Sequence, residues 1–172
     1  RSWQGWAEDA AMGLSFPLPG HRAAARYLAF AAERHPGPLF VMGHSKGGNL
    51  AEYALASLLR ARPRDAERVR LFSLDAPGFP APLVRSGFFE ANAAHASRVR
   101  IPGSWVSVLL DQPGPARFVR SGLPGPMGHD PYTWVVEGGD FVPAPAPGPV
   151  PRAVGAAVDR ALGLRPIRIT RP

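Results

Sequence analysis

The sequence predicts an α/β fold, a mostly parallel sheet with flanking helices, on three observations. Short apolar runs alternate with segments of helical periodicity. A glycine-rich turn at 43–48 joins a short apolar run to a wide helical stripe. Leu, Ile, Val and Phe, at 16, 3, 13 and 9 residues, make up about 24% of the chain, above the roughly 20% below which chains fail to build a core.

The elements follow in order. Residues 21–34 carry Ala24, Tyr27, Leu28 and Ala31 at helical spacing, and Pro36-Gly37 stops the helix. The apolar run 38–42 fits a buried strand, and residues 47–61 then show a wide stripe of Leu50, Ala51, Ala54, Leu55, Leu58 and Leu59. Arg62-Pro63 ends that helix. Residues 69–74 form a second strand, closed by the turn signal Ala76-Pro77-Gly78. Beyond it, 86–97 is expected as helix, and 98–101, 105–110, 117–120 and 133–136 as strands. Residues 80–97 are a candidate cover for a pocket. Residues 143–151 form a proline-rich connector to a short helix near 152–162 and a basic tail. The chain thus divides into a core at 1–142 and an appendage at 143–172.

Composition excludes several classes. At 172 residues the chain is the size of one domain. With 19 Gly and 21 Pro it is loop-rich, and no apolar run approaches the ~18–20 residues of a membrane span. The absence of Cys removes disulfides, thiolate metal sites and Cys nucleophiles. No metal or cofactor is expected. The net charge of +7 comes from 19 Arg and a single Lys. The arginines are scattered, as in Arg60, Arg62, Arg64, Arg68 and Arg70, with no aromatic interleaving, so no nucleic-acid partner is expected. The chain starts at Arg1 without a signal-peptide pattern. It is read as N-terminally truncated, with a cytoplasmic location favoured and the oligomeric state open.

The lone lysine lies in Gly43-His44-Ser45-Lys46-Gly47, a G-x-S-x-G pattern. Chance supplies roughly 0.1 such matches in a chain of this composition, so the context decides. A strand precedes the pattern and a helix follows it, as a nucleophile elbow requires, with glycines where the turn leaves no room for side chains. Ser45 is the candidate nucleophile, and the Lys46 amide at the helix N-terminus is the candidate oxyanion donor. A phosphate-binding loop is excluded, because no Gly-Lys pair exists.

A serine nucleophile needs a base, and a histidine base needs an acid. His129, in the loop Pro126-Met127-Gly128-His129-Asp130, is the candidate base. His44 is expected to pack away from Ser45. His21 and His35 are expected to cap the first helix or face solvent, and His95 to lie on the surface. Asp75, directly after the strand 69–74, is the favoured acid; its rival Asp111 follows 105–110 in the same manner. Asp130 is expected to shape its own loop.

Three segments, GHSKGGNLAEYA (43–54), LDAPGF (74–79) and GHDPYTW (128–134), together resemble the bacterial lipase-like family called Mbeg-like. Trp6-Ala7-Glu8-Asp9 and Arg26-Tyr27-Leu28 match its preceding region, so that the similarity runs from about residue 3 to residue 140. The resemblance implies kinship with class 3 lipases of the α/β-hydrolase fold and a serine hydrolase using Ser45, His129 and Asp75. The LDAPGF stretch also looks like the acid-bearing turn of pancreatic-type lipases. The sequence departs from class 3 lipases at 101–106, where Ser104 stands in place of an Asp. The Arg-Gly-Thr-type segment that supplies a second oxyanion donor in such lipases would fall upstream of Arg1. The expected function is ester hydrolysis on a small-molecule or lipid acyl ester, with transient membrane-surface contact allowed. The alternative is a hydrolase-fold binding module without turnover.

Overall fold

A computed structural model of the chain describes residues 16–147 and residue 157. Among the described residues the first helix, α1 (Pro19–Arg34), starts at a proline, whose fixed φ suits a first helical position. It leads into strand β1 (Leu39–His44), helix α2 (Lys46–Ala61) and strand β2 (Val69–Leu74). A one-turn helix α3 (Ala81–Arg85) precedes strands β3 (Ala96–Arg100) and β4 (Arg117–Phe118). A small hairpin of β5 (Val136–Glu137) and β6 (Asp140–Phe141) follows.

The four strands β1 to β4 pair in sequence order, and every pair is parallel. Register aligns their carboxyl ends: His44 lies opposite Leu74, and Leu74 opposite Val99. The residues that follow, Ser45, Asp75 and the 100–101 step, therefore emerge at one edge of the sheet.

One sheet face is covered by α1 and α2. Leu28 and Ala32 of α1, Ala51, Leu55, Leu58 and Leu59 of α2, and Val69 and Leu71 of β2 form its core. The apolar stripe of α2 is wide because it meets α1 and the sheet together. At the β3–β4 end, the other face is covered by Trp134 and Phe141, packed on Val99, Val119 and Leu74. At the β1–β2 end of that face, Phe40 and Met42 remain exposed, with the Phe40 and Phe72 rings stacked at 6.4 Å.

Several expectations are corrected. Residues 86–97 do not form a helix: turns and a 3-10 turn at Glu90–Asn92 lead straight into β3. Leu83 and Phe89 of the suggested cover are buried against Phe16, Ala56 and Phe79, so that segment belongs to the core. The run 105–110 is no strand but a 3-10 turn at Val106–Val108, and its apolar side chains are only partly covered. The 117–120 strand shortens to two residues. The expected strand at 133–136 begins as a 3-10 turn, Pro131–Thr133, because Asp130 accepts from the Tyr132 amide and starts a turn there. Pro143 and Ala144 pair back onto the β4 segment. The helix and tail after the connector lie outside the described residues, apart from helical residue 157.

A buried ion pair fastens α2 to β3. The Arg98 guanidinium donates twice to the Glu52 carboxylate, at 2.6 and 2.9 Å, and both side chains are only 3% exposed. Asn92 donates to the Glu52 carbonyl at 2.9 Å. Removing one partner leaves a buried charge unpaired, so Glu52→Gln should cost about 3–5 kcal/mol in urea unfolding. The double variant Glu52→Leu/Arg98→Met should recover most of that loss.

Candidate active site

The turn from β1 to α2 is built on close backbone approach. A Cβ on Gly43 would stand 2.2 Å from the Gly47 carbonyl carbon, and one on Gly48 would stand 2.8 Å from Ala76 Cβ. A Cβ on Gly47, the second glycine of the sequence pattern, would meet nothing within 4 Å. The steric requirement therefore falls on Gly43 and Gly48. Between them Ser45 takes φ 57° and ψ −131°, a left-handed conformation that costs a side-chain-bearing residue about 1–3 kcal/mol. It is held there because its amide donates to the Leu74 carbonyl at 2.9 Å while its own carbonyl accepts from Gly48. Ser45 is half-buried, and the Lys46 amide is the first of α2, at the positive end of the helix dipole.

Asp75 lies one strand away and is fully buried, also at positive φ (45°). Its Oδ1 accepts from the Ile101 amide at 3.1 Å, and its Oδ2 accepts from His129 Nδ1 at 2.7 Å. A carboxylate without a proton can only accept, so Nδ1 carries the hydrogen and the neutral ring presents Nε2 as a base. His129 is 16% exposed at its side chain, enough to reach solvent or substrate. The structure thus joins His129 to Asp75 and sets Ser45 beside them on the same strand edge. No hydrogen bond joins the Ser45 hydroxyl to His129 among the described residues.

The rival acid takes no part in this. Asp111 is exposed, and its main chain forms a bridge with Phe79 through hydrogen bonds of 2.7 and 3.0 Å. Asp130 shapes its own loop, as its position suggested. Ser104 is fully buried and accepts from the Val106 amide as a turn cap.

Two histidines make long-range bonds that the sequence did not indicate. His21 caps the start of α1, one of its two expected roles, but does so fully buried and not at the surface. Its Nδ1 accepts from the Leu18 amide, so Nε2 donates to Asn49 Oδ1 at 2.7 Å. Asn49 in turn donates to the Pro77 and Gly78 carbonyls at 3.2 and 2.7 Å, fixing the chain just after Asp75. The only sequence signal was a polar Asn on the apolar side of α2. His44 does pack, as expected, but against His129. Its Nε2 donates to the His129 carbonyl at 2.8 Å, and the two rings lie 4.5 Å apart. Burial pushes its pKa below the ordinary 6.5, and the charge of a protonated His129 adds to this.

The His129 loop is fixed from a third side. Trp134 Nε1 donates to the Gly128 carbonyl at 2.8 Å, and Gly128 is too closely packed to carry a side chain freely. Among the described residues no cluster of three His, Asp or Glu side chains is placed to hold a metal ion. None of the described helices is long and apolar enough to cross a membrane.

The Mbeg1-like family model matches residues 1–149, and the chain belongs to that family. No curated protein matches it.

Two outcomes are expected from the geometry. Gly43→Ala should unfold or severely destabilise the protein, by about 3 kcal/mol or more, while Gly47→Ala should leave its melting temperature unchanged or slightly raised. Because the His44 pKa is lowered in the folded state, the unfolded chain takes up that proton first. Stability should therefore fall as pH drops below about 6.5, and His44→Gln should reduce this slope in urea titrations between pH 7 and 5.

Proposed function

We propose that this Mbeg1-like protein is a serine ester hydrolase of lipase or esterase type, built on an α/β-hydrolase sheet. The observation that carries this reading is the 2.7 Å bond between the buried Asp75 carboxylate and His129 Nδ1, beside a strained serine at a strand-to-helix turn. An Asp that holds one tautomer of a histidine, next to a serine raised on such a turn, is the arrangement that acyl transfer requires.

In the proposed reaction, Ser45 Oγ attacks the acyl carbonyl while His129 Nε2 takes its proton. Asp75 orients the ring and stabilises the imidazolium. The Lys46 amide, aided by the dipole of α2, faces the charge that develops on the carbonyl oxygen. His129 then returns the proton to the leaving alcohol, and a water activated in the same way releases the acid. The exposed Leu123, Met127 and Tyr132 around His129 favour an ester with an apolar acyl part, from a small molecule or a lipid surface.

A second reading, a hydrolase fold without turnover, is favoured by one observation: Ser45 and His129 are not hydrogen-bonded. Such bonds commonly tighten only with substrate bound, so we retain the catalytic reading. The test is hydrolysis of short- and medium-chain p-nitrophenyl esters, with labelling by a fluorophosphonate. Ser45→Ala should lose both, and Asp75→Asn should lower kcat by about 10⁴-fold. Asp111→Asn should leave kcat within about threefold of wild type, since an exposed carboxylate off the triad contributes little. No hydrolysis above background by wild type or Ser45→Ala, with no labelling of either, supports the binding module instead.

A further inference from the structure

One titratable side chain packs directly on the proposed triad and has no part in the acyl-transfer steps. His44 is the last residue of β1, immediately before Ser45. Its Nε2 reaches the main-chain carbonyl of His129, 85 residues further along the chain, at 2.8 Å. The two imidazoles are 4.5 Å apart and tilted by 35°, and the Trp134 indole closes on His44 edge-on at 6.2 Å. We infer that His44 is a positioning residue: as a neutral N–H donor it ties the His129 backbone to the nucleophile turn and fixes the distance between Ser45 and the imidazole.

The reasoning is geometric. His129 sits on a loop, and its bond to Asp75 fixes the direction of Nδ1 only. A ring held at one atom can still swing about that atom, carrying Nε2 away from the serine. The His44 bond anchors the backbone of the same residue, and the ring contact limits tilt. Because His44 and Ser45 are consecutive, the anchor and the nucleophile share one rigid turn, and little play can enter between them. A carbonyl only accepts, so the ring must carry its hydrogen on Nε2, and a neutral His44 meets this without adding charge beside His129. Its surroundings keep it neutral. The charged and titratable groups facing it are His129, Asp75 and Asp130; burial, the largest influence, outweighs the bond to the His129 carbonyl and the two carboxylates.

The kinetic consequences rest on the hydrolase reading, whereas the anchoring does not. Two substitutions separate the features. His44→Gln keeps a side-chain N–H donor of similar reach, and His44→Phe keeps a ring but removes the donor. Proton NMR of the Nδ1–H in the His129–Asp75 bond reports the anchoring without any substrate. The low-field signal should persist in wild type and His44→Gln and should broaden through exchange in His44→Phe. With p-nitrophenyl esters, His44→Phe should lose up to about 100-fold in kcat with KM little changed, as expected for misplacement of a catalytic group. His44→Gln should recover most of that loss. Urea unfolding of both variants checks that the fold is kept. A folded His44→Phe protein with a wild-type Nδ1–H signal overturns the inference. A signal that responds as expected in a protein without esterase activity upholds the anchoring and removes the hydrolase reading instead.

Discussion

A carboxylate fully removed from water must have partners, and the burial of Asp75 organises this end of the molecule. Left alone it would cost several kcal/mol or take up a proton. Its two oxygens are satisfied by groups from two later segments, the Ile101 amide and His129 Nδ1. Those bonds draw the end of β3 and the 125–129 turn to one point above the sheet. Its positive φ redirects the chain sharply after β2, and Asn49 holds the redirected segment by two carbonyls. Strand ends, elbow and histidine loop are thereby joined around one buried charge.

The part of the fold governed by local physics was legible in the sequence. Residues 69–74 appear as the expected strand because their apolar run is bounded by arginines and a turn. Helix α2 matches its stripe to within a residue, since Leu55, Leu58 and Leu59 pay no cost in a helix and meet the sheet. After residue 80 the reading weakened, and for one reason. Segments 86–97 and 105–110 are apolar without a partner at fixed spacing, so tertiary packing chose turns over regular elements. An apolar run says that something will be buried; only its neighbours decide in which backbone conformation.

The site divides in the same way. Ser45, Asp75 and His129 could be picked out because each follows a strand or sits in a glycine-rich loop, where backbone geometry leaves a mark on composition. The preference for Asp75 over Asp111 rests on the clearer strand before it; in the structure the Asp75 carboxylate is buried on His129, and Asp111 is exposed. The supporting residues left no such mark. His21 with Asn49, and His44 with the His129 carbonyl, are pairings between residues 28 and 85 positions apart. No spacing rule encodes a contact of that kind. The two glycines of the elbow pattern show the converse limit. The pattern treats Gly43 and Gly47 alike, while the fold needs the absence of a side chain at Gly43 and Gly48.

A carboxylate at Asp75 beside a hydroxyl at Ser104 has a physical basis. β2 and β3 are adjacent and parallel, with Leu74 opposite Val99, so their carboxyl ends emerge side by side. The Asp75 carboxylate crosses that short gap to accept from the Ile101 amide, at the head of the 101–106 segment. A carboxylate rooted on either strand end could therefore address the same Nδ1 of a histidine lying above both. A carboxylate at the fully buried position 104 would add a second charge removed from water, costing several kcal/mol unless it found partners of its own. A small hydroxyl that caps its own turn, as Ser104 does, is the neutral solution. A carboxylate that meets His129 could thus be rooted on either of two neighbouring strand ends, whereas its place in space is fixed by the histidine.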